Sequence, residues 1–269
     1  MKYKIGDVAR LLGISTDLLR YYERKGIVSP EKDANNDYRY YDAWDINFLT
    51  DCLWFKNFGF SIEQIADMVR VPDTLSLDAL FEKKEEELRA SIRRSELLLR
   101  RSAEHREDLE KTRTLLYKCE ICESPELIRF INRAGDEYFT GGGAGQHAKK
   151  WLTALPFNRR YFEMSSEVYL PGKEKDYRWG YALTRDYAEL LEFEISPPMV
   201  LVPSRRCIHT VFKNSGGRGG FSPSLLQYAL DFAEARGINV FGPIYGVLLA
   251  SVMENDTLTG YFEAWLPIE

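Results

Sequence analysis

The stretch Ile5-Gly6-Asp7-Val8-Ala9-Arg10-Leu11-Leu12-Gly13-Ile14-Ser15-Thr16-Asp17-Leu18-Leu19-Arg20-Tyr21-Tyr22-Glu23 decides the fold of the first part of the chain. Ile5, Val8, Ala9 and Leu12 recur at three- and four-residue steps, which predicts a short helix with one apolar face. Gly13 supplies a turn. Ser15 is a good N-cap for a second helix, because its hydroxyl can accept from an otherwise orphaned backbone N–H. Gly26 is a good stop after Lys25. Two short helices joined by a tight turn form a helix-turn-helix, whose second helix enters the major groove of double-stranded DNA.

Outward from this pair, Pro30 and Asn35-Asn36-Asp37 are strong turn formers flanked by Tyr38-Arg39-Tyr40-Tyr41, which reads as a small β-hairpin or wing. Asp42 caps a helix running to Phe58, and Gly59 ends it. Ser61 and Gln64 have capping-box spacing for a further short helix. Pro72 breaks the chain. A charged helix then follows over residues 75–118, with apolar positions at Leu77, Phe81, Leu88, Ile92, Leu99, Leu109 and Leu116. Their spacings are sums of threes and fours with recurring sevens, as a coiled-coil seam requires, although Ser95, Ser102 and Arg106 interrupt it. The alternative is a solvated helix packed on its own C-terminal domain; a mostly polar helix of this length favours dimerisation.

Composition bounds the partners. The 269 residues carry 36 Lys and Arg against 41 Asp and Glu, and residues 1–75 carry ten against twelve. DNA binding would therefore depend on a few placed cations and helix N-termini rather than on a broad basic field. No apolar run approaches a membrane span and no signal-peptide core is visible, so a cytoplasmic protein is expected. Cys52, Cys119, Cys122 and Cys207 are too few and scattered for a disulfide framework.

After Pro125 the charge density falls. Strand candidates are 167–170, 178–184, 207–213, 244–253 and 260–267, and helices are expected near 146–155 and 222–236. That order predicts an α+β domain. The glycine clusters at 141–145 and 216–220 match neither a dinucleotide fingerprint nor a phosphate loop and read as turns.

On the second helix Thr16, Arg20 and Arg24 share a face, with Asp17 and Tyr21 on the adjacent row. Arg20 can reach a phosphate or a guanine edge, and Tyr21 and Thr16 can donate to phosphate oxygens. The fuller pattern is Ile5-Gly6-Asp7-Val8-Ala9, Leu19-Arg20-Tyr21-Tyr22-Glu23, Gly26-Ile27-Val28, Tyr38-Arg39-Tyr40-Tyr41 and Phe58-Gly59-Phe60-Ser61-Ile62-Glu63-Gln64-Ile65, then the long helix. With it, residues 1–118 resemble the MerR family of transcription regulators. The resemblance implies an all-α winged helix-turn-helix head (1–74), a coiled-coil dimerisation helix (75–118) and a homodimer. It also implies that Arg20, Tyr21, Tyr38 and Arg39 touch the DNA backbone. The family activates RNA polymerase by distorting an over-long promoter spacer, and bending so short a duplex costs only roughly 1–6 kcal/mol.

The chain continues to Glu269, so a sensor domain (119–269) is expected. Gly242-Pro243-Ile244-Tyr245, Gly260-Tyr261-Phe262-Glu263-Ala264-Trp265-Leu266-Pro267-Ile268 and the run from Val202-Pro203 to Arg206 resemble the GyrI-like effector domain of multidrug-sensing regulators. Strand alternation puts Tyr261, Glu263 and Trp265 on one face. A carboxylate between large aromatics is costly without a partner, and a lipophilic organic cation would satisfy it. The resemblance implies that Glu263 is the acidic residue of the drug site and that Tyr245 and Tyr177 are pocket tyrosines. The alternative is that Glu263 pairs with a protein cation such as Arg178 or Arg206. Two further readings compete. Cys119 and Cys122 could hold a soft metal ion, although no third ligand completes a site in sequence. A GyrI-like hydrolase could use Glu263 and Tyr245, although no nucleophile set is legible. The preferred expectation is a sensor without enzymatic activity, cofactor or resident metal.

Overall fold

The computed structural model describes residues 2–32, 38–71, 73–135, 137–141, 144–165, 177–215, 221 and 223–269. The expected strand at 167–170, the glycine run 216–220 and the wing tip at 35–37 lie outside these residues. The chain divides into two compact units, Met1–Ser95 and Glu96–Glu269.

In the first unit, β1 (Tyr3–Lys4) leads into α1 (Ile5–Leu12) and α2 (Thr16–Arg24). Gly13 takes the left-handed conformation at φ 67°, and the Ser15 hydroxyl accepts from the Leu18 N–H at 3.1 Å, so the turn and cap form as expected. Strands β2 (Glu31–Lys32) and β3 (Arg39–Tyr41) pair antiparallel as the wing, and β3 also pairs with β1. The head is thus helical, with the wing completing a small three-stranded sheet. Reciprocal capping boxes start α3 (Ala43–Asn57), through Asp42 and Asp45, and α4 (Ile62–Met68), through Ser61 and Gln64. Val8, Leu19, Tyr22, Tyr41, Leu49 and Ile65 form its core.

The long helix α5 spans Thr74–Thr114. Leu88, Ile92 and Leu99 of the expected seam are 45%, 58% and 73% exposed in this single chain. The helix stops four residues before the expected end at 118. There Leu116 bridges to Val211, and the Tyr117 N–H donates to the Val211 carbonyl at 2.8 Å, at a positive φ. Pairing to a strand wins over the last helical turn.

Among the described residues of the second unit, nine strands form one antiparallel sheet. They are β4 (Cys119–Glu123), β5 (Leu127–Ala134), β6 (Glu137–Tyr138), β7 (Arg159–Met164), β8 (Tyr177–Thr184), β9 (Val200–Val202), β10 (Arg206–Ser215), β11 (Ile244–Glu254) and β12 (Thr257–Pro267). Their order is β4-β10-β12-β11-β7-β8-β5-β6, with β9 paired to β5. Asn255 and Asp256 both have positive φ, which suits the tight two-residue turn that sets the β11–β12 register. Helices α6 (Ala144–Thr153), α7 (Arg185–Leu190) and α8 (Gln227–Glu234) complete the unit, α8 following a 3₁₀ turn at 223–226.

The period-two alternation of the strands separates two cores. One face carries Phe162, Phe212, Phe262 and Leu266 beneath Leu226, Ala229 and Ala233. The other carries Tyr161, Cys207, Tyr245, Val247 and Trp265. Gly246 lets the Phe162 ring pack close against β11: a Cβ there would lie 1.9 Å from the Glu263 carbonyl oxygen and 2.6 Å from the Phe162 ring. Among the described residues no helix is long and apolar enough to cross a membrane.

Candidate ligand site and DNA-reading helix

On α2, Asp17, Arg20 and Arg24 are exposed, and Thr16 and Tyr21 are half-buried. Arg20 donates to Asp17 at 3.1 Å, so the carboxylate orients the guanidinium. The Tyr21 hydroxyl donates to Glu63 Oε1 at 2.8 Å, and Lys25 lies 3.0 Å from the same oxygen. The Lys25 and Tyr21 hydrogen bonds hold the Glu63 carboxyl down to about 2. In the wing Tyr38 is exposed, and Arg39 Nε donates to Glu23 at 2.5 Å. Burial pushes the Glu23 carboxyl up, but Arg39 and Lys32 outweigh it and hold it below the usual range. These side chains form one braced polar surface around α2.

In the second unit a cavity of about 450 Å³ opens on the Trp265 face of the sheet, walled by residues of α5 from Arg101 to Lys111. Six carboxylates and three Lys or Arg side chains line it. Glu263 projects from β12 into this cavity and is 2% exposed. Its Oε1 accepts from Lys111 Nζ at 2.7 Å and lies 2.8 Å from His209 Nε2. Its Oε2 has Arg159 at 3.6 Å and no hydrogen-bond partner among the described residues. Burial pushes the carboxyl up, but the His209 hydrogen bond and the Lys111 charge win and hold it down to about 2. Asp108 extends the network, 2.9 Å from Arg159 and 3.4 Å from Lys111.

This arrangement corrects the expectation that Glu263 awaits a cationic ligand for its partner. Protein cations already balance it, although they are Lys111, Arg159 and His209 rather than Arg178 or Arg206; Arg178 instead lies 3.6 Å from Glu163. Trp265 also lines the cavity and stacks on the His209 ring at 5.9 Å and 9°. Tyr245, Tyr261 and Tyr177 do not line it. Tyr245 lies behind Trp265, its hydroxyl donating to Ser124 Oγ at 2.8 Å. Tyr261 shares the face and donates to Glu254. Tyr177 belongs to the core of the opposite face, with Trp179.

The two neighbouring cysteines also part. Cys119 packs into the core of the Phe262 face, whereas Cys122 lines the cavity on the other face, so the two thiols cannot share an ion. Cys122 instead forms a cluster with Glu120, its same-face neighbour on β4, and with His209, which pairs with Glu120 across β4 and β10. His209 Nδ1 lies 2.9 Å from Glu120 Oε1. Sequence reasoning missed Glu120, His209, Lys111 and Arg159 as site residues; strand register and the packing of α5, which no local pattern announces, bring them together.

Known proteins match the first part of the chain. The family model described as MerR HTH family regulatory protein matches residues 3–71. The uncharacterized HTH-type transcriptional regulator slr0701 of Synechocystis is 31% identical over 113 residues, 41% of this chain and 80% of the relative. The transcriptional regulator CueR of Escherichia coli O6:H1 is 34% identical over 67 residues, which is 25% of this chain and half of CueR. A solved EcmrR–DNA complex covers 99% of both chains at 18% identity, with a TM-score of 0.39. The two sequence relatives are described as transcriptional regulators. By its head and its match to slr0701, this chain belongs to the MerR family of helix-turn-helix transcription regulators, here followed by a β-rich α+β domain.

Proposed function

We propose that the chain is a homodimeric, ligand-responsive transcription regulator. Its head binds promoter DNA, its C-terminal cavity takes a small molecule, and occupancy changes the shape of the DNA offered to RNA polymerase. One observation carries the ligand reading. Glu263 lines a cavity of about 450 Å³, and its buried Oε2 has Arg159 at 3.6 Å but no hydrogen bond among the described residues. A buried acceptor without a donor is costly, and a ligand N–H or O–H would relieve that cost. The cavity size and its Trp265 wall suit a partly apolar molecule. The excess of carboxylates in the lining keeps a lipophilic amine cation among the favoured donors, without Glu263 requiring its charge. Homodimerisation rests on the exposed leucine and isoleucine positions of α5.

The hydrolase reading is disfavoured. A carboxylate held at about 2 and occupied by Lys111 and His209 is a poor general base. Cys119 and Cys122 lie on opposite faces of β4, but Cys122 with Glu120 and His209 supports a metal ion at the same cavity as a second reading.

The test is a titration of full-length protein, followed by tryptophan fluorescence, with amines and their neutral ether counterparts. DNA binding and transcription from a cognate promoter are measured in parallel. The expected result is at least ~10-fold tighter binding of the amines, and a change in transcription on binding. Equal affinity for both classes removes the donor argument; binding with no effect on transcription removes the sensor reading.

A further inference from the structure

Three different donor types converge at the mouth of the cavity. Glu120 and Cys122 alternate onto one face of β4, and β10 sets His209 opposite Glu120. One ligand atom from each lies within 4.8 Å of the others. A tetrahedral zinc shell with bonds of about 2.0–2.3 Å separates its donors by roughly 3.3–3.8 Å, so a side-chain contraction of about an ångström closes the site. We propose that Glu120, Cys122 and His209 bind one divalent ion of the zinc class through a carboxylate, a thiolate and an imidazole, with Glu263 as the outer partner of His209.

The surroundings of His209 supply the second argument. The ring is 7% exposed and its two nitrogens face different carboxylates. Nε2 lies 2.8 Å from the deeply buried Glu263 and Nδ1 lies 2.9 Å from Glu120. A proton on Nε2 donated to Glu263 leaves the Nδ1 lone pair directed at the ion. That is the carboxylate–histidine–metal arrangement by which an outer shell fixes tautomer and ring orientation. Trp265, stacked on the ring, holds its plane. One thiolate, one imidazole and one carboxylate suit a borderline ion such as Zn²⁺ and do not suit Mg²⁺ or Ca²⁺, which prefer all-oxygen shells.

Three protein ligands leave a fourth position. Cys122 and His209 both line the cavity, so that position faces the space where a small molecule would sit. Binding displaces the Cys122 proton to solvent and needs no oxidant or reductant. The ion also reaches the long helix at one remove, because Glu263 joins His209 to Lys111 of α5. This inference deepens the sensor reading of the same cavity, and rests on it for the regulatory consequence but not for ion binding.

The test uses reduced, chelator-treated full-length protein titrated with Co²⁺, followed by thiolate-to-cobalt absorption, and with Zn²⁺ against a chromogenic chelator. One ion per chain is expected. Cys122→Ser should abolish the thiolate band, and Cys122→Ser and His209→Gln should each weaken Zn²⁺ by at least ~100-fold. Cys119→Ser should leave both band and affinity intact. Loss of the outer partner in Glu263→Gln should cost ~10–100-fold with the band retained. Where that variant fails to fold by circular dichroism, the Cys122 and Cys119 variants decide the matter. Absence of stoichiometric binding by folded wild-type protein overturns the site, as does a thiolate band that survives Cys122→Ser and vanishes with Cys119→Ser. Transcription with and without Zn²⁺ is a separate readout: stoichiometric binding with unchanged transcription keeps the site and removes only the ion's role as signal.

Discussion

Lys111 Nζ lies 2.7 Å from Glu263 Oε1, joining the end of the long helix α5 to the middle of strand β12. Lys111 is half-exposed and Glu263 is not, so the pair is asymmetric: the carboxylate depends on its cations more than the lysine depends on the carboxylate. Burial pushes the Lys111 ammonium down, yet the Glu263 charge outweighs it and raises its pKa.

Glu263→Gln should therefore destabilise the C-terminal unit strongly. It leaves Lys111, Arg159 and His209 gathered around a neutral amide, and breaking a buried pair in this way costs about 3–5 kcal/mol. Lys111→Met should cost less, because Arg159 and His209 remain. Denaturant unfolding of the full chain, with hydrogen exchange on β12, measures both. Equal effects of the two variants would contradict the asymmetry.

The same carboxylate sets an acid limit. Its folded pKa of about 2 lies below the ordinary value of 4.5, so its contribution is fully present above pH 4.5. That contribution is lost as pH falls from there towards 2. Unfolding free energy of the C-terminal unit should fall steeply over that window in the wild type and less steeply in Glu263→Gln. Parallel slopes in the two proteins would place the acid sensitivity elsewhere.

Gly246→Ala should damage the sheet from the Phe162 face, opposite the cavity. The added Cβ would meet the Glu263 carbonyl at 1.9 Å and the Phe162 ring at 2.6 Å. Overpacking typically costs about 1–3 kcal/mol, and contacts this short place it at the upper end. The expected outcome is loss of the C-terminal unfolding transition, with that of the head preserved. An unchanged melting profile would show that β11 can shift.

Arg20→Ala should weaken DNA binding across sequences and lower the slope of log affinity against log salt by about 1, as removal of one phosphate contact does. Ser15→Ala, which removes the cap of the same helix, should cost about 1 kcal/mol of head stability. Salt-dependent anisotropy titrations measure the first effect and thermal unfolding the second. An unchanged slope with altered base preference would make Arg20 a reader of base edges instead.

The head was legible because its signals are local. Ser15, Asp42 and Ser61 are caps a few residues from the N–H groups they satisfy, and the apolar period of 5–12 needs no partner to be read. The faces of β12 were legible for the same reason, since alternation over 257–267 sorts Glu263 and Trp265 from Phe262 and Leu266. The site was not. Lys111, Glu120, Arg159, His209 and Glu263 come from five elements and meet only through the β4–β10–β12 register and the fold-back of α5. The Cys119–Cys122 spacing of three would bring side chains together on a helix, but the pair lies just past α5 on β4. In a strand the same spacing sends them to opposite sides.

The unfilled hydrogen-bonding position on Glu263 Oε2 sits beside an oxygen that Lys111 and His209 have already claimed. The resting conformation is thus itself a half-ligated state, in which side chains of the protein occupy part of the role an effector would play. A molecule entering the cavity would, under the proposed function, be registered by which native partner it displaces. Two effectors of equal affinity can give opposite outputs if one evicts Lys111 and the other leaves it in place.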